Sequence, residues 1–121
     1  MVRPGLTGST DFEVDERLTT DVGGTIGTAV LSTPGMIAMM ERNAAMLVFG
    51  ELPEGKATVG FEVCVKHVAG ALAGARCTAH ATLREVVEAR KLRFDVEVRE
   101  GDRVIGVGTH ERRVVDAAGA S

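Results

Sequence analysis

The sequence predicts an α+β protein in which one antiparallel β-sheet of about five strands wraps around one long central α-helix. Three observations support this fold class. One apolar segment, with a single polar break at Glu41-Arg42-Asn43, carries helix start and stop signals. The half of the chain that follows alternates between apolar and polar residues, and the connections between the alternating segments are short.

Length and composition set the class of protein. The 121 residues, 45% of them hydrophobic, suit a single domain over residues 1–121, with residues 1–10 and 116–121 expected to be flexible. A net charge of −3 and four phenylalanines as the only aromatic residues argue against nucleic acid as a partner. No stretch has signal-peptide or membrane-spanning length, so we expect a cytoplasmic protein with no membrane partner. Cys64 and Cys77 lack metal-site or redox-motif spacing, so we expect free thiols, no metal and no retained cofactor.

The helix is the clearest predicted element, and a weaker strand near Phe12 to Thr19 precedes it. The segment Ser32-Thr33-Pro34-Gly35 offers a hydroxyl for the cap and a proline for the first turn, where proline loses no hydrogen bond. Gly50 and Pro53 supply the stop, so the predicted helix runs from Pro34 to Phe49. Its apolar residues surround the axis, which is typical of a helix buried on all sides.

Four strands follow, each with side chains that alternate between two faces. Alternation assigns to the helix-facing side of the first strand Val59, Phe61, Val63, Val65 and His67. It assigns to the inner face of the next two strands Ala75, Cys77, Ala79, Ala81 and Leu83, then Leu92, Phe94, Val96 and Val98. A last strand is expected near Arg103 to Val115.

One strand, a long helix and four strands in this order form the hotdog architecture. A single copy leaves long sheet edges unpaired and the helix only partly covered. We therefore expect two copies to pair edge to edge as a homodimer at least.

Glu41 is the first candidate for chemistry. It lies halfway along the apolar helix, where burying a carboxylate costs several kcal/mol unless the group is paired or reacts. The alternative is that Glu41 reaches solvent or pairs with Arg42 or an arginine of the sheet.

His67 and Thr33 are the second and third candidates. Strand alternation places His67 on the face that packs against the helix carrying Glu41, so the two side chains should converge and could exchange a proton. A satisfied structural histidine is the alternative. Thr33 is a candidate helix cap, and a helix start can also polarise a carbonyl group. His80 and His110 are assigned no role.

The segments resemble the fluoroacetyl-CoA thioesterase-like family of hotdog thioesterases. The residues from Ser32 to Glu41 resemble its threonine-to-glutamate helix segment, with the same eight-residue step. Val59 to His67 resembles its histidine strand, and Gly106-Val107-Gly108-Thr109-His110-Glu111-Arg112 resembles its last strand.

The resemblance implies hydrolysis of an acyl-CoA, or of an acyl-carrier thioester, with coenzyme A as part of the substrate. It implies Thr33, Glu41 and His67 as the catalytic set, with Glu41 as either general base or nucleophile. Thr33 would bond to Glu41 or to the reacting carbonyl. It also implies substrate contacts at Gly60 and Arg112.

Departures from the family bear on the substrate. The segment Gly23 to Val30 carries no phenylalanine of the kind that covers the acyl group in the fluoroacetyl-specific enzyme, so fluoroacetyl-CoA is not the expected substrate. Two other functions remain open: a non-catalytic binding module for an acyl thioester or small ligand, and hydration or dehydration of an enoyl thioester.

Overall fold

The computed structural model describes residues 1–117 and has one helix packed against a five-stranded antiparallel sheet. The strands of the sheet are β1 (Thr7–Glu13), β4 (Lys56–His67), β5 (Arg76–Val87), β6 (Lys91–Glu100) and β7 (Arg103–Asp116). A short 3₁₀ turn (Glu16–Leu18) and a two-residue ladder between β2 (Thr19–Thr20) and β3 (Val30–Leu31) lead into the helix α1 (Thr33–Phe49). The predicted α+β class and arrangement are confirmed.

The sheet order is β1-β5-β6-β7-β4, which leaves β1 and β4 at the two edges. The first strand begins at Thr7, earlier than the predicted segment, so residues 7–10 are strand and not the flexible end that we expected. Its backbone pairs with β5 along its whole length. At the other end Asp116 is the last residue of β7, and residues 118–121 of the predicted flexible tail lie outside the described residues.

The start of α1 differs from the prediction by one residue. Ser32 is the cap, because its side-chain oxygen accepts a hydrogen bond from the Gly35 backbone N–H at 2.9 Å. Thr33 therefore lies in the first turn of the helix. Its hydroxyl is not used for capping and is available to another group.

One side of α1 is buried and the other faces solvent in a single chain. Met36, Met40, Ala44 and Val48 are inaccessible and pack in the core. Met46 and Phe49 on the opposite side are 62% and 60% exposed. The prediction of a helix buried on all sides is wrong for one chain, because a sheet on one side covers only that side.

Alternation was correct for two central strands and wrong for part of β4. In β5 and β6 the predicted inner residues from Cys77 to Leu83 and from Leu92 to Val98 form much of the core. In β4, Gly60 pairs with Arg112 and Glu62 pairs with Glu111, so Phe61 is an extra residue in a β-bulge.

Because of the bulge, the residues of β4 up to Phe61 face the opposite way from the prediction, while those after it face the predicted way. Val59 and Phe61 are 49% and 58% exposed, and the Phe61 ring lies 3.6 Å from the guanidinium carbon of Arg113 on the outer face. The predicted inward positions of these two residues are therefore wrong. Gly60 faces the helix instead, and beyond the bulge His67 contacts it as predicted.

Among the described residues, no helix is both long and apolar enough to cross a membrane. Within the same residues, Cys64 is an exposed free thiol and Cys77 is a buried one.

Candidate active site

A threonine and a histidine meet where α1 begins and β4 ends. Thr33 lies in the first turn of the helix, and its Oγ1 is 2.9 Å from Nδ1 of His67, the last residue of β4. The other ring nitrogen of His67, Nε2, is buried and has no hydrogen-bond partner among the described residues. A buried nitrogen without a partner is costly, so this atom is suited to exchange a proton with a bound molecule.

An apolar groove of about 490 Å³ lies beside this pair. Its aliphatic wall comes from the segment before the helix and from the residue that follows His67. These side chains are Val22, Ile26, Val30 and Val68. Val22 and Ile26 are about half exposed, so the groove is open on that side. A small acyl chain could lie against this wall with its carbonyl near Thr33.

A second cluster forms around Glu41, near the middle of α1. The nearest guanidinium nitrogen, Nη1 of Arg112, is 3.8 Å from Glu41 Oε2. Gly60 lies against the same carboxylate so closely that a Cβ at this position would overlap Oε2. The bulge in β4 is what turns residue 60 toward the helix, and only glycine leaves room there.

Glu41 is more accessible than the sequence indicated. Its side chain is 39% exposed, whereas that of Arg112 is 9% exposed. In a single chain the carboxylate is only partly buried, because the solvent side of α1 is open next to it, and this agrees with the alternative that Glu41 reaches solvent. Its predicted pairing alternative, an arginine of the sheet, is present as Arg112.

Thr58 accepts hydrogen bonds from two nitrogens of the Arg112 guanidinium. Its Nε donates to Thr58 Oγ1 at 2.7 Å and its Nη2 donates to the Thr58 carbonyl at 3.0 Å. Burial lowers the pKa of the guanidinium, and the Glu41 carboxylate acts in the opposite direction. The group stays charged, since arginine remains protonated in proteins.

The two clusters are separate within one chain. Thr33 and Glu41 are eight residues apart on one helix, so their backbones are about 12 Å apart along the axis. His67 and Gly60 lie seven positions apart on β4, a separation of roughly 20 Å. The predicted convergence of Glu41 and His67, and a bond between Thr33 and Glu41, do not occur within a single chain.

His110 joins the Glu41 cluster, although no role was predicted for it from the sequence. Its ring is 2% exposed and lies within 3.2 Å of Arg112 Nη1. The signal was available in the alternation of the last strand, because Gly106, Gly108, His110 and Arg112 are spaced by two and share a face. Two glycines in that series made the inner face of the strand hard to recognise from hydrophobicity.

Comparison with known proteins identifies the family. The model of the fluoroacetyl-CoA-specific thioesterase family matches residues 14–118. A fluoroacetyl-CoA thioesterase from Streptantibioticus cattleyicolor is 36% identical over 86 residues, which are 71% of this chain. That alignment spans only 61% of the relative's length.

Solved structures agree with this assignment. A variant of the fluoroacetyl-CoA-specific thioesterase is 30% identical, with a TM-score of 0.87 over 98% of this chain and 92% of that one. A hot-dog-like protein from Thermanaerovibrio acidaminovorans, 23% identical, has a TM-score of 0.84 over 95% of this chain and 84% of that one, and shows the fold alone. The family model, the fold and the three matching motifs lead to one conclusion: the chain belongs to the fluoroacetyl-CoA-specific thioesterase family.

Proposed function

We propose that this protein is an acyl-CoA thioesterase that hydrolyses a small to medium acyl thioester with Thr33, Glu41 and His67. The observation that carries the proposal is the Thr33–His67 hydrogen bond beside an apolar groove, with a buried His67 nitrogen that has no hydrogen-bond partner among residues 1–117. Family membership supports the reaction class. Coenzyme A belongs to the substrate, and no retained cofactor is needed.

The proposal requires a second copy, because the two clusters lie too far apart within one chain. We propose a homodimer in which the free edge of β4 pairs antiparallel with the same edge of a second copy. A two-fold axis beside Cys64 then brings the His67 end of one strand next to the Gly60 end of the other. The same axis sets the two helices antiparallel, so Thr33 of one copy approaches Glu41 of the second.

In this assembly each reaction splits the thioester into a carboxylic acid and free coenzyme A, and consumes one water. Glu41 either removes a proton from that water or attacks the acyl carbon to form an anhydride that water then cleaves. His67 passes a proton to the departing sulfur, with Thr33 orienting the ring. Gly60 leaves space for the acyl carbonyl, and Arg112 contacts the substrate.

The lining of the groove supports the proposal that an aliphatic acyl group is preferred to fluoroacetyl. The wall formed by Val22, Ile26 and Val30 is apolar and contains no aromatic ring that could cover a two-carbon acyl group. A methylene in such a pocket contributes about 1 to 3 kcal/mol of discrimination. Short branched and medium straight chains should therefore be better substrates than fluoroacetyl-CoA.

Free-thiol release from a panel of acyl-CoAs tests the proposal, with fluoroacetyl, short, branched, aromatic and long acyl groups. Wild type is compared with folded Glu41→Ala and His67→Ala variants. Turnover that both substitutions abolish supports the proposal, whereas variants as active as wild type refute it. Tight binding without turnover would identify a binding module. An altered acyl chain with an intact thioester would identify a hydratase. Hydrolysis of an acyl group carried by an acyl-carrier protein, but not of any acyl-CoA, would mean that the carrier thioester is the substrate.

A further inference from the structure

His110 is a buried histidine whose place in the fold is not explained by packing alone. Its ring stacks on Phe94 of β6, with centroids 6.0 Å apart and planes 25° from parallel. Phe94 belongs to the core, and Cε1 of the His110 ring lies 3.6 Å from the position that a Cβ would take at Gly60. A Cβ at Gly60 would have as its nearest neighbours Glu41 Oε2, Arg112 Nη1 and His110 Cε1.

One ring nitrogen of His110 faces a hydrogen-bond acceptor and the other faces a donor. Nδ1 lies 2.8 Å from the backbone carbonyl of Glu62, which can only accept a hydrogen bond. Nε2 lies 3.2 Å from Nη1 of Arg112, which can only donate one. Both neighbours select the same tautomer, so the proton is on Nδ1 and Nε2 presents its lone pair to the guanidinium.

The hydrogen bond between Arg112 and His110 therefore requires an uncharged imidazole. A proton on Nε2 would face an N–H of Arg112 and remove the acceptor. Burial lowers the pKa of His110, as does the charge of Arg112, while the Glu62 carbonyl and the Glu41 carboxylate act in the opposite direction. From β6 the ring is packed by Phe94, which carries no charge.

Arg112 is consequently fixed at all three nitrogens. Thr58 holds Nε and Nη2, and His110 holds Nη1, the nitrogen that approaches Glu41. Without His110, Nη1 would have the Glu41 carboxylate at 3.8 Å as its sole partner among the described side chains, a distance that does not fix an orientation.

We propose that His110 is a positioning residue, which as a neutral imidazole aims the Arg112 guanidinium at the Glu41 carboxylate and at the substrate beside it. The inference rests on the proposed function, since it assigns a task within the same site. Protonation of His110 converts an acceptor into a donor and releases Arg112. Activity should then fall on the acid side together with the His110 titration.

Two matched substitutions separate positioning from packing. His110→Gln places an amide oxygen near the position of Nε2 and keeps an acceptor for Arg112. His110→Asn places its amide near Nδ1, keeps the bond to the Glu62 carbonyl and offers Arg112 nothing. Both lose the stacking on Phe94, so their melting temperatures should fall alike.

We expect His110→Asn to lower kcat about tenfold, and His110→Gln to retain most of it, because a hydrogen bond to a charged group is lost only in the first. The acid limb of the wild-type pH profile should change in His110→Gln, which lacks the ring at residue 110, while the contribution of the other catalytic groups stays the same. Equal losses of kcat in the two variants, or an unchanged acid limb in His110→Gln, would overturn the proposal.

A spectroscopic readout keeps this test independent of turnover. The Nη1–H resonance of Arg112 in a ¹⁵N-correlated spectrum, assigned with Arg112→Lys, should exchange slowly in wild type and His110→Gln and rapidly in His110→Asn, because Nη1 is the nitrogen that faces residue 110. It should weaken in wild type at the pH where the His110 ring titrates. If wild type hydrolyses no thioester but the resonance behaves this way, the proposed function fails and the positioning role stands; equal exchange in both variants would refute the role.

Discussion

Gly60 illustrates how a single hydrogen atom in place of a side chain shapes the site. The nearest atom to a Cβ at residue 60 is the end of the flexible Glu41 side chain, which can swing toward solvent. We expect Gly60→Ala to lower kcat at least tenfold while the free energy of unfolding changes by less than about 1 kcal/mol. Thiol-release kinetics and chemical denaturation measure the two effects.

Gly50→Ala is the matched control for that prediction. A Cβ at residue 50 meets nothing within 4 Å, and its backbone is in the right-handed helical region at φ −70°. Activity should be unchanged in this variant. A Gly60→Ala protein with wild-type kcat would contradict the close placement of Glu41.

Thr33 and Ser32 perform separate tasks, which substitution can distinguish. Thr33→Val preserves shape but loses the 2.9 Å contact to His67, so we expect kcat to fall about tenfold with little loss of stability. Thr33→Ser should retain most activity. Ser32→Ala should cost about 1 kcal/mol of stability through the lost cap while leaving the Thr33–His67 pair intact. The opposite pattern in kinetics and denaturation would mean that Thr33 is the cap.

His110 should also make stability depend on pH. Burial lowers its pKa in the folded protein below the ordinary value of 6.5, so between the folded and unfolded pKa values the unfolded chain binds more protons. The free energy of unfolding should therefore fall as the pH drops from about 7 through 6.5, and level off below the folded pKa. His110→Phe keeps a ring against Phe94 and should flatten this part of the curve. Denaturation at a series of pH values measures it, and identical slopes in the two proteins would contradict the burial of a neutral ring.

At the scale of elements, the sequence predicted correctly those helices and strands whose signals lie within their own segment of the chain. The helix was found because its start, stop and apolar content lie in one segment. The faces of β5 and β6 were assigned correctly because the extra residues of their ladders lie outside the alternating segments, after Leu83 in β5 and in β7 opposite the end of β6. The face of β4 was wrong at Val59 and Phe61 because its bulge arises from pairing with β7, which is distant in sequence. Thr33, Glu41 and His67 were selected by residue type and motif, but their separation depends on the lengths of α1 and β4.

The proposed pairing of two copies along the free edge of β4 predicts a specific disulfide cross-link. If the two-fold axis lies beside Cys64, the two copies of this exposed thiol face each other at a separation that a disulfide can span. Mild oxidation should give a cross-linked dimer on a denaturing gel, and Cys64→Ser should remove it. Cys77 should not react, because it is buried and burial raises the pKa of its thiol.

A competing arrangement would pair the other edge strand, β1. Ser9→Cys in the Cys64→Ser background places a thiol near the middle of that strand. Efficient cross-linking there, with none through Cys64, would contradict the proposed dimer.

At the scale of the whole molecule, the single chain has the features of half an assembly. One side of the helix exposes Met46 and Phe49, an edge strand lacks a partner in the described structure, and the site is divided into two clusters. Pairing of two copies across β4 would cover the exposed helix residues and the free strand edge, and it would join the two clusters into one site. The sequence predicted unpaired edges and an edge-to-edge homodimer, but not which edge strand pairs, since the sequence of one chain records which residues are apolar but not which surface of a second copy covers them.

The central claim is that Glu41 of one copy works with Thr33 and His67 of the second, and subunit complementation tests it most directly. Glu41→Ala and His67→Ala proteins, each inactive alone, are unfolded together and refolded as a mixture. Random pairing makes half of the dimers mixed, each with one intact site, so the mixture should recover about a quarter of wild-type thiol release. If it stays inactive although mass measurement shows mixed dimers, the site does not span two copies and the account is contradicted.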